Sequence, residues 1–413
     1  MTINNIKILV DITPILPGGT NGGAKTFVIN LLKNLSKISP EIDFVLLTRR
    51  DANNELKTLD SLNMSRQIMI EDTNTYLISK FMEVLPKKFL NIIANKFTLI
   101  FLNIFKKNYT VIDIKKLNAN LLFCPFTSPI YAIKGIPTVS IVYDLQYLTY
   151  PNFFGNLELV HRDLTIKEAF HNSDYLVAIS EYTRKSILKY NKNIDIDKIK
   201  VILIQIDSRE NKTEVHDNIK NEVLDKYNLL GRNYIIYPAN FWKHKNHEML
   251  ITAFNIAMNK YKNLNIKLLL TGDFLERKEL LQSIVDRMGL ANKVIFTGYL
   301  NKFELDILLS KSLALIFPSL YEGFGIPLVE AMDYNIPITC SDKTSIPEIV
   351  GNAAIYFDPR IPEEMADSIS SIILDNKIRE KLIENNKKIK LKYLNPVSMA
   401  FEYKKLFMTC LKK

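Results

Sequence analysis

Cysteine and long apolar runs are both scarce in this sequence. Its 413 residues include only 3 cysteines, scattered without metal-ligand spacing. This use of cysteine is typical of a reducing cytoplasm and not of a disulfide framework. No stretch approaches the roughly 18 uninterrupted apolar residues of a membrane span. The sequence opens with an apolar run over 6–10 that indicates a strand and not a signal peptide, so we expect a cytoplasmic protein.

The motifs of nucleic-acid-binding proteins are also missing, although the chain is basic. The formal net charge of +10 indicates an anionic partner. Because no zinc finger, RNP-type aromatic motif or helix-turn-helix pattern accompanies this charge, we expect no nucleic-acid partner. Anionic lipid and nucleotide phosphates are then the main candidates.

Lysines are concentrated between residues 80 and 109. Six lysines oppose a single glutamate there, and aromatic and aliphatic residues lie between them. A basic amphipathic helix of this kind can lie in a membrane interface. We therefore predict peripheral contact with an anionic membrane through 80–109. The alternative is a helix pair that packs its apolar face on the core, because both arrangements need the same periodicity.

Apolar runs of strand length alternate with helical stretches along the whole chain. Such alternation predicts α/β architecture with parallel sheets flanked by helices, here twice over. We predict two Rossmann-like doubly wound domains facing a central cleft, over 1–206 and 207–390, and a C-terminal helix over 391–413 that packs back on the N-terminal domain. The predicted strands are 6–10, 43–48, 121–124, 138–142, 175–179 and 200–206, then 234–237, 266–271, 294–296, 313–317, 338–339 and 354–356.

The most informative motif runs from Pro318 to Met332. An apolar run that indicates a buried strand precedes it, and Pro327 suits the first turn of a helix. Glu322 is therefore expected in the turn and Glu330 about one turn into the helix. Ligands bind at the carboxyl ends of strands in open parallel sheets, and helix N-termini attract anions. The two carboxylates and the backbone amides of the turn predict a ligand that carries both hydroxyls and phosphates.

Two further segments join a strand to a helix. Gly22 and Gly23 lie in a glycine-rich loop that lets the backbone approach a ligand closely, although a plain flexible turn has the same composition. Lys243 and Lys245 follow the predicted strand 234–237, where their charges are placed to neutralise a diphosphate.

Several other strand-end residues have both a structural and a functional interpretation. Asp144 is expected either to accept a hydrogen bond from a hydroxyl or to cap the next helix. Gly272 marks either a tight connection or part of the site. Ser180 is expected to cap a helix. We interpret His244 and His247 as polar surface groups or supports of the site and not as metal ligands, because no third ligand is near.

Together these segments resemble glycosyltransferase family 4, the retaining sugar-nucleotide transferases of the GT-B fold. The resemblance covers most of the chain and is strongest across 234–358. Its specific motifs are Tyr321-Glu322-Gly323-Phe324-Gly325, the pair of glutamates eight positions apart, and Ser345-Ile346-Pro347-Glu348-Ile349-Val350-Gly351. Its weaker motifs are Gly22-Gly23, Tyr143-Asp144-Leu145 and Ser180-Glu181-Tyr182-Thr183.

The resemblance implies roles for these residues. It implies that Glu322 contacts the transferred sugar, that Glu330 holds the ribose hydroxyls and that Lys245 binds the donor diphosphate. It also implies that the glycine loop approaches the phosphates and that the reaction needs no metal, because cationic side chains and helix dipoles stabilise the leaving diphosphate. We thus predict the catalytic residues Glu322, Lys245 and Asp144, and the substrate-binding residues Gly22, Gly23, Asn240, Lys243, Gly272, Phe324, Gly325 and Glu330.

Two positions depart from the family pattern. Asn240 stands where many members carry an arginine five residues before the lysine, which weakens the expected charge clamp unless Lys243 replaces part of it. Tyr143 stands where members often carry a histidine, so the usual histidine contact to the sugar is not expected. The segment from Asn240 to His247 is similar to mannosyltransferase-like members, and this similarity mildly favours GDP-mannose as the donor.

The sequence thus predicts a retaining, metal-independent hexosyltransferase without a cofactor. It would move a hexose from a nucleotide-diphosphate sugar to a glycan or lipid-linked acceptor in surface polysaccharide biosynthesis, such as that of lipopolysaccharide. The donor would bind the C-terminal domain and the acceptor the N-terminal domain, at the inner face of the cell membrane. The alternatives are a nucleotide-sugar epimerase of the same fold and an inactive sugar-nucleotide-binding protein. Nucleic-acid binding is a third, which predicts steeply salt-dependent affinity.

Overall fold

The computed structural model describes residues 6–18, 21–70, 114–208, 216–231, 233–261 and 265–412. The segment 80–109, for which membrane contact is predicted, lies outside the described residues. Contacts divide the chain into two units. The first contains the residues up to Ile179, Arg184–Ile202 and those from Val397 onward, and the second contains Ser180–Thr183 and Leu203–Pro396.

The first unit is built on a seven-stranded sheet in which every pairing is parallel. The order across the sheet is β3-β2-β1-β4-β5-β6-β7, so the strand order reverses between β1 and β4. The strands are β1 (Ile6–Asp11), β2 (Ile42–Arg49), β3 (Met64–Ile70), β4 (Leu121–Cys124), β5 (Thr138–Val142), β6 (Tyr175–Ala178) and β7 (Ile199–Val201).

The second unit is built on a six-stranded parallel sheet with the same winding. Its order is β10-β9-β8-β11-β12-β13, so the reversal falls between β8 and β11. The strands are β8 (Asn233–Pro238), β9 (Ile266–Thr271), β10 (Val294–Gly298), β11 (Ala314–Phe317), β12 (Ile338–Ser341) and β13 (Ala354–Phe357).

Helices connect the strands of both sheets. Those of the first half are α1 (Gly22–Ile38), α2 (Arg50–Asn53), α3 (Gln146–Thr149), α4 (Asn156–Asn172) and α5 (Glu181–Tyr190). Those of the second half are α6 (Asp217–Lys226), α7 (His247–Lys260), α8 (Lys278–Arg287), α9 (Lys302–Ser310), α10 (Ile326–Asp333), α11 (Ile346–Val350), α12 (Pro362–Leu374), α13 (Asn376–Ile389) and α14 (Pro396–Cys410). Among the described residues, no helix has the length and apolar character needed to cross a membrane.

The central strands explain why the predicted α/β class is correct. Every residue of β4, β5 and β11 is buried, and β4 and β11 read as continuous apolar runs. Strands covered by helices on both faces take this composition, which is characteristic of parallel sheets. The prediction of two doubly wound parallel sheets is confirmed.

Two predicted elements differ from the structure at the edges of the first sheet. Strand β3 is absent from the prediction, because its polar residues Ser65, Arg66 and Gln67 interrupt the apolar pattern. Among the described strands it pairs with β2 alone. The strand predicted over 200–206 ends at Val201, and the backbone N–H of Ile206 donates instead to the carbonyl of Tyr393 at 2.8 Å.

The C-terminal helix α14 packs within the first unit. Phe407 and Tyr403 place their rings 5.0 and 5.7 Å from the ring of Phe123, and Lys404 donates to the carbonyl of Ile38 at 2.9 Å. The domain ranges 1–206, 207–390 and 391–413 stay predictions. The contacts divide the chain after Ile202 and before Val397.

Strand β1 ends in a buried carboxylate that starts the turn into the glycine-rich loop. Asp11 is 1% exposed. Its Oδ1 accepts hydrogen bonds from the backbone N–H of Thr13 at 3.0 Å and from the Thr13 hydroxyl at 2.6 Å. Burial raises the pKa of Asp11 from 3.8 to about 6, although the bonds from Thr13 act in the opposite direction.

We predict that Asp11→Asn removes a pH dependence of stability. Because the pKa of Asp11 is higher in the folded than in the unfolded chain, wild-type stability should fall by about 3 kcal/mol as the pH rises from 4 through 6. The variant should lack this fall. Urea unfolding of both proteins between pH 4 and 7 measures the difference, and equal slopes would contradict the buried titration of Asp11.

Candidate active site

The candidate site lies where the strand order of the second sheet reverses. Strands β8 and β11 are neighbours there, and each leads into a different crossover. In open α/β sheets this reversal opens a crevice at the carboxyl ends of the strands, where ligands bind. The segments that follow β8 and β11 carry Lys245 and Glu322, two of the predicted catalytic residues.

The backbone around Lys245 is fixed on both sides. The hydroxyl of Tyr237 donates to the Lys245 carbonyl at 3.0 Å. The next residue, Asn246, has a φ of 62° and donates from its side-chain amide to the carbonyls of Pro318 at 3.2 Å and Pro359 at 2.8 Å. Asparagine tolerates this left-handed conformation better than most residues. Asn246 therefore ties the loop after β8 to the loops after β11 and β13.

The turn around Glu322 is held by hydroxyl groups. The backbone N–H of Glu322 donates to Thr344 Oγ1 at 3.1 Å, and the Ser345 hydroxyl lies 2.9 Å from the Glu322 carbonyl oxygen and 3.2 Å from that of Phe324. The Ser180 hydroxyl donates to the carbonyl of Gly323 at 2.7 Å. These bonds satisfy N–H and carbonyl groups of the turn, which lie outside β11 and α10 and so have no partner in a strand or helix.

The two side chains meet in an ion pair. Lys245 Nζ lies 2.5 Å from Glu322 Oε1, and the side chains are only 16% and 11% exposed. Partial burial lowers the local dielectric constant, so the attraction is stronger than in a surface pair. Lys245 also lies 5.7 Å from the ring centroid of Phe317 in β11. The structure thus brings the predicted diphosphate-binding and sugar-binding residues into direct contact.

The helix that carries Glu330 begins at a glycine that the turn requires. Gly325 has a φ of 101°, and a Cβ there would lie 2.8 Å from Leu328 Cδ1. Glu330 is the fifth residue of α10 and is buried, as is Phe324 in the turn. The predicted strand, turn and helix around the two glutamates are confirmed as local structure.

Asn240 and Gly272 join the turns after β8 and β9. A Cβ on Gly272, whose φ is 131°, would lie 2.6 Å from the carbonyl carbon of Ala239, so only glycine fits. Asn240 Oδ1 accepts a hydrogen bond from the backbone N–H of Asp273 at 2.9 Å. The side chain that replaces the family arginine therefore holds two turns together, while Lys243 is exposed.

His247 corrects one interpretation made from the sequence. It is fully buried, and its ring lies 4.2 Å from that of Phe241 and 4.9 Å from that of Tyr237, so it is not a surface group. Burial, together with the nearby charges of Arg277 and Lys245, lowers the pKa of His247 to about 3. Within the part of the chain that the structure describes, no cluster of three potential metal ligands occurs.

The remaining predicted site residues belong to the first unit. Gly22 and Gly23 are exposed and begin helix α1. Asp144 Oδ1 accepts a hydrogen bond from the backbone N–H of Gln146, the first residue of α3, at 2.9 Å. This contact matches the capping interpretation, and a role for Asp144 in catalysis stays a prediction. The Tyr143 hydroxyl donates to the carbonyl of Pro125 at 2.8 Å.

Several supporting residues have no assigned role in the sequence prediction. Thr344 and Ser345 hold the Glu322 turn, and their signal is the Ser345–Gly351 motif, which the family resemblance marks without explaining. Glu348 accepts hydrogen bonds from the backbone N–H groups of Glu181 at 2.8 Å and Tyr182 at 2.9 Å. The predicted cap is confirmed, because Ser180 Oγ accepts from the N–H of Thr183 at 3.1 Å.

A lysine also shapes the glycine-rich loop of the first unit. The buried ammonium of Lys25 donates to the carbonyls of Leu16 at 3.0 Å and Gly18 at 2.9 Å, and pairs with Glu55 at 2.6 Å. Glu55 accepts in turn from the N–H of Gly18 at 3.2 Å. The ammonium of Lys25 therefore stabilises the conformation of the glycine-rich loop, a structural role that could not be predicted from its position after Gly22 and Gly23.

A comparison with known protein families agrees with the site around Lys245 and Glu322. Residues 220–389 match the family described as glycosyl transferases group 1. This range contains Lys245, Glu322 and Glu330, and it includes most of the second unit. The resemblance to glycosyltransferase family 4 is thereby confirmed for this part of the chain.

The curated relatives carry more particular names. The chain is 25% identical over 242 residues to the O-antigen chain mannosyltransferase B of Escherichia coli, which covers 59% of this chain and 62% of that protein. It is 30% identical over 231 residues to the O-antigen chain mannosyltransferase RfbU of Salmonella typhimurium, which covers 56% and 59%. The chain therefore spans about three fifths of the length of these relatives.

Solved structures share the fold over nearly the whole chain. A glycosyltransferase from Rickettsia africae has a TM-score of 0.69 at 18% identity and covers 99% of this chain and all of its own. Anabaena Alr3699/HepE in complex with UDP and glucose has a TM-score of 0.72 at 16% identity and covers 98% and 100%. At these identities the likeness concerns the fold, and the predicted GT-B class is confirmed.

We predict a graded loss of stability at Asn246. Asn246→Gly removes the hydrogen bonds to Pro318 and Pro359 but keeps the left-handed conformation, and should cost about 1–3 kcal/mol. Asn246→Ala adds the strain of a β-carbon at φ 62° and should cost about 1 kcal/mol more. Urea unfolding of the two variants and the wild type measures both steps. Equal stability of the three proteins would contradict the role given to Asn246.

Proposed function

We propose that this chain is a glycosyltransferase that moves a hexose, with mannose favoured, from a nucleoside-diphosphate sugar to a glycan or lipid-linked acceptor. The observation that carries the proposal is the contact between Lys245 and Glu322 at the strand-order reversal of the second sheet. The names of the curated relatives, which are O-antigen chain mannosyltransferases, support transfer over epimerisation or binding alone. They also support a role in surface polysaccharide biosynthesis.

The proposed chemistry is leaving-group stabilisation without a metal. As the bond between the anomeric carbon and the diphosphate oxygen breaks, negative charge grows on the diphosphate. The anomeric carbon bonds to the oxygen of an acceptor hydroxyl, and the proton of this hydroxyl passes to the departing diphosphate. The ammonium of Lys245 attracts this charge more strongly in the transition state than in the bound substrate, and only such differential binding accelerates the step. The N-terminus of helix α10 adds a favourable dipole.

The carboxylates have separate roles in this proposal. Glu322 accepts hydrogen bonds from hydroxyls of the transferred hexose and orients its anomeric carbon, and the backbone amides of Phe324 and Gly325 approach the same sugar. The buried carboxylate of Glu330 accepts from the ribose hydroxyls. We propose retention of the anomeric configuration and GDP-mannose as the favoured donor, on the strength of the family resemblance and the relatives' names.

We propose that the acceptor binds the first unit, which carries Asp144. We propose a cytoplasmic location at the inner face of the cell membrane, with anionic lipid contacted through 80–109. The charge of this segment, six lysines against one glutamate, supports this part of the proposal.

We predict that Lys245→Ala and Glu322→Ala each lower sugar transfer by at least about a hundredfold, because each removes a group that acts on the reacting sugar or its leaving group. The donor is first found by screening GDP-mannose, UDP-glucose and other nucleotide-sugars for thermal stabilisation of the wild type. Transfer is then measured with a panel of lipid-linked acceptors. EDTA should leave the wild-type rate unchanged, and the product should keep the donor's anomeric configuration.

The matched control is Lys260→Ala, which removes a lysine paired with Asp367 on exposed helices of the same unit. It should transfer sugar at the wild-type rate. Full activity in both Lys245→Ala and Glu322→Ala would contradict the proposed glycosyltransferase function. If the protein instead released an altered sugar nucleotide without any acceptor, the proposed function would be that of an epimerase.

A further inference from the structure

Lys245 and Glu322 have competing partners under the proposed function. In the structure the ammonium and the carboxylate satisfy each other at 2.5 Å. The proposed reaction asks the same ammonium to bind a diphosphate and the same carboxylate to bind sugar hydroxyls. A single ammonium is therefore shared between two anions, one from the protein and one from the ligand.

Hydrogen bonds hold the backbone of both residues, so backbone movement is not expected to separate the ion pair. The Lys245 carbonyl accepts from Tyr237, and the Glu322 turn is anchored by Thr344 and Ser345. Because hydrogen bonds hold both backbones, we expect the pair to open by rotation of its side chains. When the Glu322 carboxylate turns away from Lys245 it needs another hydrogen-bond donor, because leaving a partly buried carboxylate unpaired costs free energy.

Two other cations of the second unit, Arg277 and Lys343, are already engaged, whereas Lys243 is exposed. Arg277 pairs with Glu248, and Lys343 lies 2.9 Å from Asp358. A diphosphate that binds beside Glu322 meets the ammonium of Lys245, because this is the cation that contacts the Glu322 carboxylate. Whether Glu322 releases this ammonium decides how firmly the diphosphate is held.

We infer that Glu322 is a specificity-determining residue that favours the nucleoside-diphosphate sugar over the free nucleoside diphosphate. When the sugar is present, its hydroxyls donate to the Glu322 carboxylate and Lys245 turns to the diphosphate. When the sugar has left with the acceptor, the carboxylate pairs with Lys245 again and weakens the hold on the product. The inference rests on the proposed function and adds a product-release role to the same site.

The test compares Glu322→Gln with the wild type by calorimetric titration with GDP and with GDP-mannose. If the thermal screen selects uridine, the probes are UDP and UDP-glucose. Glutamine keeps the shape of the side chain but no longer competes as an anion, so GDP should bind about tenfold more tightly to the variant. GDP-mannose should not gain affinity, because the sugar loses its charged acceptor. The dissociation constant of GDP divided by that of GDP-mannose should therefore fall by roughly tenfold or more in the variant.

The matched control is Asp367→Asn, which removes one negative charge from the 2.5 Å pair with Lys260 in the same unit. It should leave both dissociation constants unchanged, and this separates the contact from the overall charge. Glu322→Ala should likewise bind GDP more tightly than the wild type.

Two outcomes overturn the inference in different ways. If the wild type binds and transfers mannose, yet Glu322→Gln binds GDP no more tightly, the discrimination role is wrong and the proposed function stands. If the wild type binds neither nucleotide pair, the proposed function fails and the inference fails with it.

Discussion

An ammonium and a carboxylate 2.5 Å apart join two loops of the second unit, and hydrogen bonds hold the backbone of both loops. Lys245 is followed by a left-handed asparagine that bonds two other loops, and Glu322 lies in a turn whose backbone groups are bound by hydroxyls. Their contact depends on hydrogen bonds to backbone atoms of segments far away in the sequence.

The winding of the sheet explains why such segments meet. Strands β8 and β11 are adjacent although about 80 residues separate them in sequence, because the chain first builds outward through β9 and β10 and then returns to the other side of β8. The loops after β8 and β11 therefore leave the sheet side by side. Polar side chains on these two loops can therefore contact the same ligand. Because the loops are adjacent, the charges of Lys245 and Glu322 also neutralise each other in an ion pair.

The local structure around both residues could be predicted from the sequence, because apolar runs, glycine and proline act over a few positions. The long-range supports could not. Ser180 and Gly323 are 143 residues apart and Asn246 and Pro359 are 113 apart, so their bonds exist only once the sheet has formed. Polar residues interrupt the apolar pattern of strand β3, and His247 reads as polar because its burial comes from tertiary packing around Phe241 and Tyr237.

Lys245 and Glu322 interact directly in the folded protein. A double-mutant cycle of Lys245→Met and Glu322→Gln, followed by urea unfolding, measures this interaction separately from the other effects of each change. We expect a favourable coupling of about 1 kcal/mol or more, since the pair is partly buried and charge-assisted. Strictly additive effects of the two substitutions would contradict it.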